Sequence, residues 1–228
     1  MGGSYTGGSS RRSWRMIRQV RPLGLVAVGA ALALTGCGGG GGGSVESDQR
    51  LADAVALEQS DLPGDGWQSV RVESQERCAP PRHPPSARGR VREFYLEEFT
   101  AAASASAVYD NADEATAGFR DDAHARLDEC YATFLRRAVE SAGVRVLDVL
   151  PAPLLFERLG DESLATSLVA RARKGTRRLR AYADVVRIRE GRAIVLLVFT
   201  SAIHRFPVQT EQAVAGKVLA RVPAELRE

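Results

Sequence analysis

The chain holds three thiols, three imidazoles and one dense group of carboxylates, and spacing sorts them by the chemistry open to each. Cys37 closes the stretch Leu34-Thr35-Gly36-Cys37. An aliphatic residue three before a cysteine, with small residues between, is the pattern of a lipobox. The thiol can accept a diacylglyceryl group, and the small neighbours fit the peptidase that cuts before it. The apolar run Leu23 to Leu34 is 12 residues long, too short for a membrane span of about 20. Five arginines (Arg11, Arg12, Arg15, Arg18 and Arg21) and no acid precede it. These are the three parts of a bacterial lipoprotein signal. Residues 1–36 are therefore expected to be removed, leaving Cys37 as the first, lipid-bearing residue. Ser10-Arg11-Arg12-Ser13-Trp14 resembles a twin-arginine export motif, a route that stands level with general secretion.

Cleavage at Cys37 removes five of the 31 basic residues and none of the 28 acids, which turns a formal charge of +3 into −2. The basic sequence pI is thus a property of the discarded segment, and a nucleic-acid partner loses its support. The two remaining thiols, Cys78 and Cys130, most simply form a disulfide outside the cytoplasm. Such a bridge closes a loop of about 50 residues and stabilises by roughly 4 kcal/mol in the chain-entropy view. Two buried thiols are the alternative.

Asp121, Asp122, His124 and Asp128 share one helical stretch, flanked by Arg120 and Arg126. They fall opposite the apolar positions, so they read as a solvated face with local ion pairs and not as a metal site. His83 stands in a proline-rich loop with no Cys, Asp or Glu beside it, and His204 is followed by Arg205 with no nucleophile near it in sequence. The chain carries no Gly-x-Ser-x-Gly elbow, phosphate-cradling loop, His-Glu-x-x-His or paired Cys-x-x-Cys. No catalytic residue, metal or cofactor is expected, and the chain reads as a non-enzyme.

The positioning elements follow from periodicity. Residues 37–47 comprise the lipid-bearing cysteine and a glycine-rich tether, whose ten residues 38–47 would span roughly 17–19 Å as a random coil. Residues 48–60 predict a short helix with Asp48 as its cap, stopped by the turn Leu62 to Trp67 with Trp67 plugging the core. Val70 and Val72 suggest a strand towards Cys78, and residues 79–90, with four prolines, an exposed loop. Residues 91–109 read as one long strand or two joined by a bend. Asn111, with Glu114 three residues on, caps a helix running to about Ser141, whose inward face is Phe119, Ala123, Leu127, Cys130, Phe134 and Ala138. A strand from Val144 to Leu150 ends at Pro151 and Pro153, and Leu159 to Ser163 make a turn. Strands over 164–172, 177–189 and 193–199 follow, joined by turns at Lys174-Gly175 and Glu190-Gly191. The last strand is wholly apolar and therefore central. A helix follows Pro207, and the tail from Pro223 is expected to fray. The fold class is α+β: an antiparallel meander of about five to six strands carrying one long helix and one or two shorter ones, in a single domain over 48–224.

One charge concentration stands out. Arg171, Arg173, Lys174, Arg177, Arg178 and Arg180 surround the Lys174-Gly175 turn. They suit anionic lipid headgroups or envelope polymers, or act as charges that protect a strand edge from aggregation.

The order of elements, with Leu62, Pro63, Gly66, Trp67, Cys78, Cys130 and the Leu159 to Ser163 turn, resembles the sensor-like extracellular domain family of mycobacterial serine/threonine protein kinases. That family occurs also in stand-alone actinobacterial lipoproteins. The resemblance spans about residues 48–222. It implies an antiparallel sheet with helices packed on it and a cleft for a small or amphipathic ligand. The sensor domains of the kinases carry two disulfides where this chain can make one, and no kinase domain or transmembrane helix accompanies it. No ligand-contact residue carries over. The expected function is a non-enzymatic binding domain, held by the lipid on Cys37 to the outer face of the cytoplasmic membrane. Its ligand would be an envelope small molecule, a lipid or a partner protein. The alternatives are an amphipathic-lipid carrier with a large apolar cavity and an envelope hydrolase or transferase with a site assembled by folding.

Overall fold

The computed structural model describes residues 42–70, 82–96, 100–121, 125–202 and 204–227, with side chains from residue 45 on, those of 121–128 excepted. The fold is α+β, built on one antiparallel sheet of eight strands. Its trunk is β6 (Glu162–Lys174), β7 (Arg177–Glu190) and β8 (Ala193–Ser201), with β5 (Arg145–Pro153) outside β6. This half is the expected meander. The chain's first half then adds to the other side of β8. There β4 (Thr100–Val108) pairs with β8 along its whole length, β3 (Arg92–Leu96) pairs with β4, and β1 (Gln68–Val70) forms the edge. A two-residue strand, β2 (Ala87–Arg88), pairs with the end of β4. The sheet thus has more strands than the five or six expected, because residues 91–109 supply two of them and the two-residue β2 is too short to show a period.

β8 lies between β4 and β7, which is why seven consecutive apolar residues there are buried. Alternation sends Val195, Leu197 and Phe199 to one face and Leu196 and Val198 to the other. The first face packs under α1 (Gly42–Ala54), α4 (Val208–Ala220) and Trp67. The second packs under α2 (Ala112–Asp121) and α3 (Ala125–Ser141). The small residues of β4 let α1 approach closely. Ser106 Oγ donates to the Ala52 carbonyl at 2.7 Å, and Ser104 Oγ accepts the Leu57 amide at 2.9 Å. Trp67 is buried as expected, donating Nε1–H to the Pro63 carbonyl at 2.9 Å and stacking on Phe206 with ring centroids 6.3 Å apart.

Several local expectations change. α1 starts at Gly42, inside the stretch assigned to the tether. Asp48 is no cap; it is buried and paired with Arg192 at 3.0 Å. Of the two readings for residues 91–109, the structure takes the second: β3 and β4 are two strands, paired antiparallel. The helix expected over 111–141 comprises α2 and α3, and Asn111 does cap it, its Oδ1 accepting the Glu114 amide at 2.8 Å. On α3 the buried line is Tyr131, Leu135 and Ala138, while Cys130 and Phe134 flank it half-buried. β5 runs through Pro151 and Pro153, which is allowed because it is an edge strand whose outer side needs no donors. The tail does not fray. It forms α5 (Ala224–Arg227), with Leu226 fully buried and its carbonyl accepting the Arg192 amide at 2.8 Å.

Candidate functional site

The far end of the β6–β7 hairpin, around its turn at Lys174-Gly175, holds a groove of about 620 Å³ lined by Leu147, Asp148, Arg171, Ala172, Arg173, Arg178, Leu179 and Arg180. Register explains the charge. Arg171 faces Arg180 across the hairpin, Arg173 faces Arg178 and Lys174 faces Arg177. Alternation then puts Arg171, Arg173, Arg178 and Arg180 on one face of the sheet. The same face, followed along β7, carries Tyr182 and Asp184 and then passes under α4; at the tip it is open. Asp148 on β5 pairs with Arg171, which donates Nε–H to Oδ1 at 2.7 Å. The Arg171 hydrogen bonds hold the Asp148 carboxyl below the usual carboxylate range. Among the described residues no other carboxylate compensates the tip.

A second polar cluster lies where that face goes under α4. Asp184 on β7 is buried and clamped by Arg205, whose Nε and Nη2 donate to its two oxygens at 2.9 and 3.2 Å. Glu211 on α4 is fully buried, and neither of its oxygens has a hydrogen-bond partner among the described residues. Burial first, and then the charge of Asp184, push its pKa up to about 9. No hydrogen bond joins the two carboxyls by distance and angle, so Asp184 acts through its charge. Ser167 Oγ, opposite Asp184 on β6, is likewise buried without a partner among the described residues. Tucked beneath α4 against Phe199, this cluster belongs to the packing of the helix and offers no open site for a substrate.

No protein-family model matches the chain, and no curated protein does. Among solved structures it is similar to the extracellular domain of PknH from Mycobacterium tuberculosis. That likeness has 9% identity and a TM-score of 0.38, and covers 76% of this chain and 95% of the other.

The residues singled out in sequence scatter. Cys37, Cys78, Asp122 and His124 lie outside the described residues, as do the side chains of Asp121 and Asp128. Cys130 is disulfide-bonded, to a partner that is not among the described residues. His83 and His204 are exposed, and neither lines the groove. Among the described residues no three His, Cys, Asp or Glu side chains converge on one point. The Leu159 to Ser163 turn is structural. Its Asp161 accepts the Gly191 amide at 2.8 Å and pairs with Arg189 at 2.9 Å, tying down the β7–β8 turn. Asp184, Glu211 and Arg205 were missed in sequence. A carboxylate set between alternating apolar residues of an interior strand, as Asp184 is, was the available signal.

Proposed function

We propose that this chain is a lipid-anchored, extracytoplasmic binding domain without a catalytic role, and that the arginine groove is its ligand site. The observation that carries the reading is a preformed, open groove with four arginines on one sheet face and one paired acid. Guanidinium groups in this density bind oxyanions by paired N–H donation. The groove is cationic, unlike the apolar cavity of a lipid carrier, and brings no nucleophile or histidine together as a hydrolase would need. The lipobox at Cys37 supplies the anchor, and among the described residues no helix is long and apolar enough to cross a membrane.

Two measurements test the reading. Cys37→Ala is expected to move the protein from the membrane fraction, washed in about 1 M salt, to the soluble extracytoplasmic fraction; membrane association that survives the salt wash would remove the lipid anchor. Cys78 is the proposed partner of Cys130. Peptide mapping of the non-reduced mature protein is expected to recover those two cysteines in one linked fragment, and a Cys130 linked elsewhere or free would overturn the pairing.

A further inference from the structure

We infer that the arginine groove and the leucines beside it dock onto the headgroups of an anionic lipid bilayer, so that the anchored domain lies along its membrane. This rests on the lipid-anchored reading above and names the ligand of the same groove.

The charge pattern at the tip works against the fold. Three of the last four cross-strand pairs before the turn, Lys174 with Arg177, Arg173 with Arg178 and Arg171 with Arg180, set like charges opposite one another. Directly opposed like charges are destabilising, and Asp148 relieves only one of these pairs. Protection of a strand edge needs a few charges on the outer strand; it does not call for matched cations across the seam between two strands. A surface of anions removes the repulsion.

Apolar groups gather in the same place. Among the described residues six large hydrophobic side chains are exposed. Leu147 and Leu179 line the groove itself, and Leu150 stands farther along β5, opposite Val169. Arginines for phosphates and leucines for the acyl boundary are the two components of an interfacial membrane surface. Pro151 and Pro153 remove two donors from the far half of the β5 edge, which disfavours a second protein strand there.

The position of the anchor fits. α1 comes in beside the β7–β8 turn, where Asp48 meets Arg192. The arginine tip is at the other end of β7, 14 residues away, or about 45 Å. Cys37 precedes Gly42 by five residues, a reach of at most about 18 Å. Anchor and tip therefore meet one bilayer only when the long axis of the sheet lies down along it.

The experiment uses the mature, lipidated protein in vesicles of phosphatidylcholine alone or with phosphatidylglycerol, and reads amide hydrogen exchange over residues 171–180. Exchange is expected to slow about tenfold or more on phosphatidylglycerol vesicles. It should stay unchanged on neutral ones and return in about 1 M salt, where screening acts within about 3 Å. The variant R173Q/R178Q is expected to melt no lower than wild type, since a like-charge pair is removed, and to lose the slowing. Equal exchange on the two vesicle types, or slowing retained in the variant, overturns the inference. Inorganic pyrophosphate producing the same slowing without phosphatidylglycerol also overturns it, by assigning the groove to a soluble anion. Failure to remain with neutral vesicles counts against the anchor alone. The docking surface is then judged by whether the protein still binds phosphatidylglycerol vesicles and loses that binding in R173Q/R178Q.

Discussion

Glu211→Gln is expected to raise the melting temperature at pH 8 by about 5 °C or more and to leave it unchanged near pH 4. The reason lies in burial. Glu211 is inaccessible beneath α4, its oxygens have no partner among the described residues, and Asp184 stands nearby. Burial and the Asp184 charge raise its folded pKa from 4.5 to about 9. The folded state therefore holds a proton that the unfolded chain releases. Stability from this group is complete below pH 4.5 and is lost progressively as pH rises towards 9. The limiting slope is about 1.4 kcal/mol per pH unit. Glutamine keeps the shape and has no proton to lose, so the dependence disappears. Arg205→Ala should act in the opposite direction, costing about 2–4 kcal/mol, because it leaves Asp184 charged and buried without its cation. Melting curves of the two variants from pH 4 to 9 check both signs. Parallel curves for wild type and Glu211→Gln would mean that Glu211 is solvated.

Gly191→Val should cost about 4 kcal/mol, read from the midpoint of urea unfolding. Gly191 has φ of +56°, in the left-handed region that suits glycine at this turn. A Cβ there would stand 1.9 Å from the Leu226 carbonyl oxygen and 2.6 Å from the Arg227 Cα. Those atoms are backbone and cannot rotate away. α5 must lift, giving up the Arg192 amide bond to Leu226 and the burial of the Leu226 side chain. Removing residues 224–228 should therefore reproduce most of the loss, and Gly191→Val in the shortened chain should add only the backbone strain, about 1–2 kcal/mol. A full-length Gly191→Val protein within about 1 kcal/mol of wild type would show that α5 contributes nothing.

The contrast between these sites measures how much was legible in the sequence. Glycine at the Glu190-Gly191 turn and Asn111 ahead of an apolar helix are local statements, because turn and cap chemistry involve only the next few residues. The strand from Ala193 to Phe199 also announces itself, since a run apolar at every position must be covered on both faces. Pro151 and Pro153 mislead for the same local reason. Proline excludes an interior strand, and only the sheet order shows that β5 is an edge. α5 is hidden because four residues show no period, and its stability comes from Leu226 sinking beside Arg192.

The candidate site divides in the same way. The arginines around Lys174-Gly175 and the lipobox at Cys37 are visible as clusters in the chain. Their types alone determine that this hairpin is cationic and that Cys37 can carry a lipid. Only the tertiary structure decides that the arginines oppose one another in pairs, that Asp148 reaches Arg171 from a strand 23 residues earlier, and that the tip faces away from the end where α1 comes in. It alone brings Asp184 on β7 and Glu211 on α4 under one roof. The physical reason is common to all of these. Composition and period record how each residue meets its immediate neighbours and solvent. Register and helix placement are set by the burial of two whole sheet faces at once, and that is a property of the assembled chain.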